Sequence, residues 1–332
     1  MTTFTRKLGK SGIEVSALGM GCWAIGGPWT IDQGEGEPYA AGWGQIDDSE
    51  SIRAIHTALD LGVNFFDTAA NYGAGHSERI LAAALQGRRD QVVIATKFGF
   101  LVDEQAKFVS KNNALVLQNL RQDCENSLRR LGTEYIDLYQ LHVADYPPEQ
   151  AGAVSDLLEA LVREGKIRWY GWSTDNPVAA RTFALEAHCT AIQQAINWAT
   201  LVDYAPTLKV CEDFNLASIV RGPLAMGLLT GKFSGRDVDL PQDDIRHDWN
   251  FKEGRIGDIL QRVERIKDVL TSDGRTLAQG ALGWLWACSP VTIPIPGFKS
   301  VAQVQENAGA LQFGPLSETA MREIDRLLDR DS

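Results

Sequence analysis

Four ionisable side chains of different kinds each follow a short apolar run in this 332-residue chain. Val63-Asn64-Phe65-Phe66 ends in Asp67, and Tyr72 stands in the same loop, ahead of Gly73 and Gly75. Val92-Val93-Ile94-Ala95-Thr96 ends in Lys97, and Ile136-Asp137-Leu138-Tyr139-Gln140-Leu141 ends in His142. Together they could protonate an oxygen that gains negative charge, as a carbonyl oxygen does during reduction. The Tyr72 phenol is the natural donor, and an adjacent ammonium such as Lys97 would lower its pKa by stabilising the phenolate. Asp67 would hold Lys97 charged and oriented, and His142 would polarise the carbonyl oxygen as a neutral donor or a proton carrier. Each residue alone has a plainer reading: a loop aromatic, a turn cap, a structural ion pair, a strand-end histidine satisfied by its neighbours.

Runs this short and this β-rich read as parallel strands buried on both faces. A side chain leaving the C-terminal end of such a strand sits on the rim where barrel enzymes keep their reacting groups. The rest of the chain supplies what a barrel requires. Phe4–Leu8 and Ile13–Val15 read as a small hairpin, and Leu18–Gly21 as the first barrel strand. Helical patterns over Ser51–Leu61, Ser77–Leu85, Asn113–Leu131, Pro148–Arg163, Val178–Ala187 and Tyr204–Asn215 alternate with further strands at Ile167–Trp172, Ala191–Ile196, Leu216–Val220 and Val291–Ile295. The fold class this predicts is α/β, a (β/α)8 TIM barrel forming one domain over residues 1–332. An N-terminal β-hairpin, an extra helix (Ile256–Leu270) before the seventh barrel helix (Thr276–Ala287), an eighth helix (Val301–Ala310) and a C-terminal helix (Leu316–Leu328) complete it. Periodicity by itself also allows an open doubly wound sheet; the count of eight strands favours closure only together with the resemblance that follows.

The run Asp67-Thr68-Ala69-x-x-Tyr72-Gly73-x-Gly75-x-Ser77-Glu78, the strand-ending Lys97 and the Leu141-His142 ending resemble the aldo-keto reductase superfamily, over about Arg6 to Leu311. The resemblance implies hydride transfer from NADPH to an aldehyde, ketone or sugar, with Asp67, Tyr72, Lys97 and His142 as the catalytic group. An alternative within the same resemblance is a cofactor-binding regulatory subunit, similar to potassium-channel β-subunits, with little turnover. Carried over position by position, the nicotinamide end falls to Gly21, Cys22, Trp23, Asp67, Ser173, Thr174 and Gln193, with Asn197 nearby. Arg221-Gly222-Pro223-Leu224, Gly227, Leu228 and Lys232 resemble the pyrophosphate loop, whose glycines let backbone approach an anion. Gly297, Lys299, Ser300 and Gln303 would surround the 2′-phosphate, and Glu306 and Asn307 the adenine. Trp23, Trp29, Tyr72 and His142 would contact substrate, with the long loop Gly26–Gln45 walling the pocket. The chain departs from the usual pattern at Thr174, Ile196, Gln303 and Arg221. The last replaces a stacking aromatic with a permanent cation, which either serves the cofactor or reaches for an anionic substrate.

Formal net charge −11 and a pI near 5.0 argue against nucleic acid as a partner, since that requires a basic patch. Cys22, Cys124, Cys189, Cys211 and Cys288 are odd in number and form no CxxC pair, so neither disulfides nor zinc are expected and a reducing cytoplasm is. No His-x-His pair occurs among the five histidines, so a metal-dependent reading is disfavoured and no metal is expected. Arg6, Lys7 and Lys10 before Val15–Gly27 only faintly imitate a signal peptide, and no apolar run approaches the ~18–20 residues of a membrane span. Gly19-x-Gly21-x-x-Ala24 imitates a dinucleotide fingerprint, but Gly26-Gly27-Pro28 prevents the helix that fingerprint requires. The partner expected is a small carbonyl or sugar substrate, with no membrane; a homo-oligomer is compatible.

Overall fold

Phe65 and Phe66 are adjacent on one short strand, yet they enter different cores: Phe65 joins a cluster with Val93, Ala95, Leu138, Ala191, Ile219 and Ile293, Phe66 a larger one with Ile94, Tyr139, Ile192 and residues of the helices. The alternation of side chains along strands generates both. The first cluster fills a barrel, and the second lies between the barrel and its helices. The structure is a computed structural model describing residues 4–199, 203–233 and 238–329.

Eight parallel strands form the sheet: Met20–Gly21, Phe65–Asp67, Val93–Phe98, Ile136–Leu141, Ile167–Ser173, Cys189–Ala195, Ala217–Arg221 and Thr292–Pro294, each hydrogen-bonded to the next in that order. The ends meet, because Gly19 N donates to Pro294 O at 2.9 Å, Gly21 N donates to Pro296 O at 3.0 Å, and Gly21 bridges Gly297 in parallel. The sheet is a closed barrel, the fold expected from the sequence.

The hairpin Thr5–Lys7 and Glu14–Ser16 covers the barrel floor, sending Leu8 and Val15, both fully buried, into the interior cluster. Its turn sits so close that a Cβ on Gly9 would lie 2.1 Å from Thr190 O. Helices at Asp48–Asp60, His76–Ala84, Val116–Leu131, Ala151–Arg163, Pro177–Ala184, Ala205–Asp213, Leu277–Cys288 and Val301–Gly309 surround the sheet. Gly254–Leu270 is the extra helix and Glu318–Leu327 the C-terminal one. No helix among the described residues is long and apolar enough to cross a membrane.

One expectation is corrected. The segment Gly26–Gln45 is not wholly loop: Thr30–Asp32 and Tyr39–Ala40 pair with an unanticipated hairpin, Phe100–Asp103 and Phe108–Lys111, in a four-stranded sheet over the barrel mouth. Strands of two to four residues carry too little alternation to be read locally, and their pairing partners lie far off in sequence.

Candidate active site

Reading up five of the eight barrel strands, the residue two beyond the apolar interior layer is polar. Phe65 leads to Asp67, Ala95 to Lys97, Leu138 to Gln140, Ala191 to Gln193 and Ile219 to Arg221. A strand that sends one residue inward sends the second-next residue inward as well, so these side chains share one layer at the C-terminal mouth.

Lys97 uses all three of its N–H bonds there. Nζ donates to Asp67 Oδ1 at 2.5 Å, to Thr68 O at 2.8 Å and to the Tyr72 hydroxyl at 3.2 Å. Asp67 Oδ2 accepts from Gln193 Nε2 at 2.8 Å and from Gln140 Nε2 at 3.1 Å. Burial alone would lower the Lys97 pKa, but Asp67 and Tyr72 outweigh it, and the ammonium is held above its ordinary value. For Tyr72 the balance runs against the expectation of a lowered pKa. Burial raises it more than Lys97 lowers it, so the phenol keeps its proton with its oxygen accepting from Lys97.

The turn carrying Tyr72 is fastened from behind. Ser77 Oγ donates to Cys22 O at 2.7 Å and lies 2.9 Å from Thr68 Oγ1, while Glu78 accepts from Thr96 Oγ1 at 2.6 Å and Arg130 Nε at 2.5 Å. Gly73 takes φ +61°, and a Cβ on it would lie 1.9 Å from Gly26 O. That packing explains why small residues occupy both positions.

His142 follows the fourth strand and donates its backbone N–H to Phe98 O at 2.9 Å. Its ring meets Tyr72 and Phe100 edge-on, with centroids 5.8 and 5.4 Å away. Burial, then the charges of Lys97 and Arg221, hold its pKa well below the usual histidine value, so the ring is neutral. Its Nδ1 lies 3.0 Å from Asn71 Oδ1. Asn71, on the turn that carries Tyr72, thus orients the neutral ring from one side.

Trp23 stacks beside Tyr72 at 6.0 Å between centroids and donates Nε1 to Ala41 O at 2.9 Å. Trp29 is buried among Ile31, Ala41, Ala74 and Val109, with Trp23, Tyr72 and Phe100 packed against that cluster. The small sheet thus backs the aromatic wall, and Trp29 stands in its second layer.

Across the mouth, Ser173 Oγ donates to Gln193 Oε1 at 3.5 Å, whereas the Thr174 hydroxyl is committed to Ala144 O at 3.0 Å. Gly21 and Cys22 end the first strand, where a Cβ on Gly21 would meet Ile295 O at 2.7 Å and Cys22 N donates to Asp67 O at 2.8 Å. Arg221 is ion-paired with Asp175, whose other oxygen accepts from Ala195 N at 2.7 Å. Asn197 Nδ2 donates to Gly222 O at 2.9 Å. Gly222 and Gly227 adopt φ +61° and +93°, and Pro223, Leu224 and Leu228 are buried beneath them, leaving backbone rather than those side chains at the surface of the turn.

Lys232, Arg246 and Lys299 cluster beyond that turn. Burial, then Arg246, push Lys232 down to about 8, with Lys299 adding to the effect, and Lys299 is lowered by burial first. Arg246 pairs with Asp244 at 2.6 Å, donates to Met226 O at 3.1 Å and covers the Trp43 ring at 4.4 Å. Lys299 Nζ donates to Trp43 O at 2.7 Å, and its backbone N donates to Gln303 Oε1 at 2.6 Å. Ser300 Oγ caps Gln303 N at 3.3 Å, Asn307 Nδ2 donates to Gly297 O at 3.3 Å, and Glu306 O accepts from Gln279 Nε2 at 3.0 Å.

The sequence reading did not single out Gln140, Asn71, Asp175 or Arg246. Gln140 had a signal, being a polar residue inside an apolar strand two positions before His142. Nothing local marks the others.

A model of the aldo/keto reductase family matches residues 17–329. The chain is 32% identical to Aldo-keto reductase YhdN of Bacillus subtilis over 323 residues, 96% of this chain and 92% of that protein. It is 29% identical to Aldo-keto reductase yakc [NADP(+)] of Schizosaccharomyces pombe, over 99% of this chain and 92% of that one. Among solved structures it resembles the glycerol dehydrogenase AKR11B4 of Gluconobacter oxydans, with TM-score 0.81 and 30% identity over 99% of this chain and 96% of that one. It also resembles an aldo-keto reductase of Klebsiella pneumoniae in complex with NADPH, with TM-score 0.70 and 27% identity over 98% and 95% of the two chains.

Proposed function

This chain belongs to the aldo/keto reductase family, and on that premise we propose that Tyr72, Lys97, Asp67 and His142 are the catalytic group of an NADPH-dependent reductase of aldehydes, ketones or sugars. One observation carries the reading: a single buried ammonium bonds both the Asp67 carboxylate and the Tyr72 phenol, at 2.5 and 3.2 Å. The match over residues 17–329 supports treating the chain as one catalytic domain.

Reduced nicotinamide, when bound, supplies the hydride. Tyr72 donates its proton to the substrate oxygen, and because Lys97 already bonds the phenol oxygen, the phenolate left behind is stabilised where it forms. Asp67 keeps Lys97 charged, and Gln140 and Gln193 satisfy its second oxygen, so the carboxylate has no reason to turn toward Tyr72. Trp23 and the small sheet exclude water from one side of the phenol.

The residues present fit the dinucleotide. Lys232, Arg246 and Lys299 repel one another and two of them are held below the ordinary lysine pKa, a strain that an anionic phosphate relieves. Ser173 and Gln193 offer a hydroxyl and an amide at the mouth for a carboxamide. The yakc relative carries NADP(+) in its name, and the Klebsiella structure holds NADPH, which supports the same cofactor here.

The test is steady-state oxidation of NADPH and of NADH against a panel of aldehydes, ketoses and aldoses, with Tyr72→Phe as the control. Turnover that depends on the phenol supports the reading. Tight NADPH binding with no turnover on any carbonyl would overturn it in favour of a regulatory cofactor-binding protein.

A further inference from the structure

Lys97 and Arg221 both stand in the polar layer at the barrel mouth, and each has a carboxylate of its own. Lys97 is paired with Asp67. Arg221 is paired with Asp175, which follows the fifth barrel strand and takes no part in the chemistry proposed above. The Asp175 carboxylate is fixed from several sides. Its Oδ1 accepts from Ala195 N at 2.7 Å, its Oδ2 accepts from the Arg221 guanidinium, and the residue's backbone O accepts from Thr207 Oγ1 at 2.8 Å. Ala195 is the register partner of Arg221, so one carboxylate ties together the ends of the fifth, sixth and seventh strands. Burial acts most strongly on His142 and Tyr72, and the Arg221 charge reaches both rings as well, favouring the neutral imidazole and the phenolate.

A nicotinamide ring is neutral when reduced and carries a positive charge once its hydride has left. In the reading above that hydride goes to a carbonyl beside Tyr72 and His142, so the ring and the Arg221 guanidinium share the mouth. An uncompensated cation there favours the reduced cofactor, because only the oxidised ring is repelled. We propose that Asp175 is a positioning residue that neutralises Arg221 and thereby sets how tightly the site holds oxidised relative to reduced cofactor. The two forms share every phosphate contact, so the ratio of their affinities isolates the charge at the ring. The proposal rests on the reductase reading for the place of the ring.

The experiment measures dissociation constants of NADP+ and NADPH by isothermal titration calorimetry at low ionic strength, where charge effects are least screened. In Asp175→Asn, which keeps an oxygen for Ala195 N, the NADP+ constant rises relative to the NADPH constant by roughly three- to tenfold, the worth of one partly screened unit charge, and the rise shrinks as salt is added. In Arg221→Gln the uncompensated charge is that of Asp175, and the ratio shifts the other way. Combining the two substitutions brings the ratio back toward the wild-type value. An unchanged ratio in Asp175→Asn, equal weakening of both forms included, overturns the proposal, since a merely structural role moves the two constants together. A rise of the same size on the Arg221→Gln background also overturns it, because Asp175 would then not act through Arg221. Should Asp175→Asn fail to fold, the sign of the shift in Arg221→Gln decides. If the wild-type protein binds neither form, the cofactor assignment fails and takes this one with it. Both forms bound without turnover on any carbonyl is the failure of the reductase reading, and the ratio still decides the role of Asp175.

Discussion

The Lys97 ammonium stands 2.5 Å from Asp67 Oδ1 across two neighbouring barrel strands, and the two side chains are 0% and 2% exposed. A buried pair of this kind is weak support for stability, because desolvation offsets most of the attraction, yet removing one partner strands the other charge. Lys97→Met is expected to lose at least about a hundredfold in turnover and to destabilise the fold by about 3–5 kcal/mol. Denaturant unfolding beside steady-state kinetics reads both. A variant that keeps its turnover would remove Lys97 from the chemistry whatever its stability.

Tyr72→Phe is expected to cost ~10²–10⁴ in turnover, the usual worth of a general acid, with NADPH affinity nearly unchanged. The phenol bonds Lys97 through its oxygen, so the change removes a proton donor without emptying a hydrophobic site. Fluorescence titration of NADPH separates binding from chemistry. More than about a tenth of wild-type turnover, with hydride transfer rate-limiting, would assign the donor elsewhere.

The pH behaviour follows from two opposite shifts. Tyr72 is raised, so its neutral form is favoured in the fold; the stability this contributes is present below ~10 and lost as pH rises beyond it. His142 is lowered, so its neutral form is favoured too; its contribution is present above ~6.5 and lost as pH falls toward the depressed value. Neither group should therefore titrate between about pH 6.5 and 9. A nuclear magnetic resonance titration of the histidines, beside kcat measured over the same range, checks this. A His142 midpoint near 6.5 would contradict the burial argument.

Lys299→Ala is expected to weaken NADPH several-fold more than NADH, since only the former brings a 2′-phosphate to the cation cluster. The preference should be modest. Lys299 Nζ already gives one of its three N–H groups to Trp43 O at 2.7 Å, and Gln303 supplies no charge of its own. Equal losses for the two cofactors, measured as dissociation constants, would show that Lys299 does not read the phosphate.

Arg221→Ala is expected to raise the dissociation constant of NADPH and to affect all substrates alike. Its charge is shared with Asp175 at the mouth, so it is not left free for an anionic substrate. Intact NADPH binding, with loss confined to substrates bearing a carboxylate or phosphate, would reverse the assignment.

Some of this protein is written locally. Strand alternation alone carries Asp67, Lys97, Gln193 and Arg221 inward one layer above Phe65, Ala95, Ala191 and Ile219, because side chains two apart on a strand share a face. The run from Asp67 to Glu78 likewise holds its own turn, with Tyr72 N donating to Ala69 O at 3.1 Å, Ser77 N to Tyr72 O at 3.2 Å, and Ser77 Oγ 2.9 Å from Thr68 Oγ1. Tertiary structure decided the rest. Whether Tyr72 rises or falls in pKa depends on how deeply the mouth is buried against the pull of one ammonium, a balance that no spacing encodes. Asn71 meets His142 from 71 residues away, Asp175 meets Arg221 from 46, and Lys299 reaches Trp43 from 256. The small sheet that shelters the phenol is assembled from segments near residues 30–40 and 100–111 that are too short to announce themselves. Hydrogen-bond partners are chosen by which surfaces packing brings within about 3 Å, and packing is a property of the whole chain.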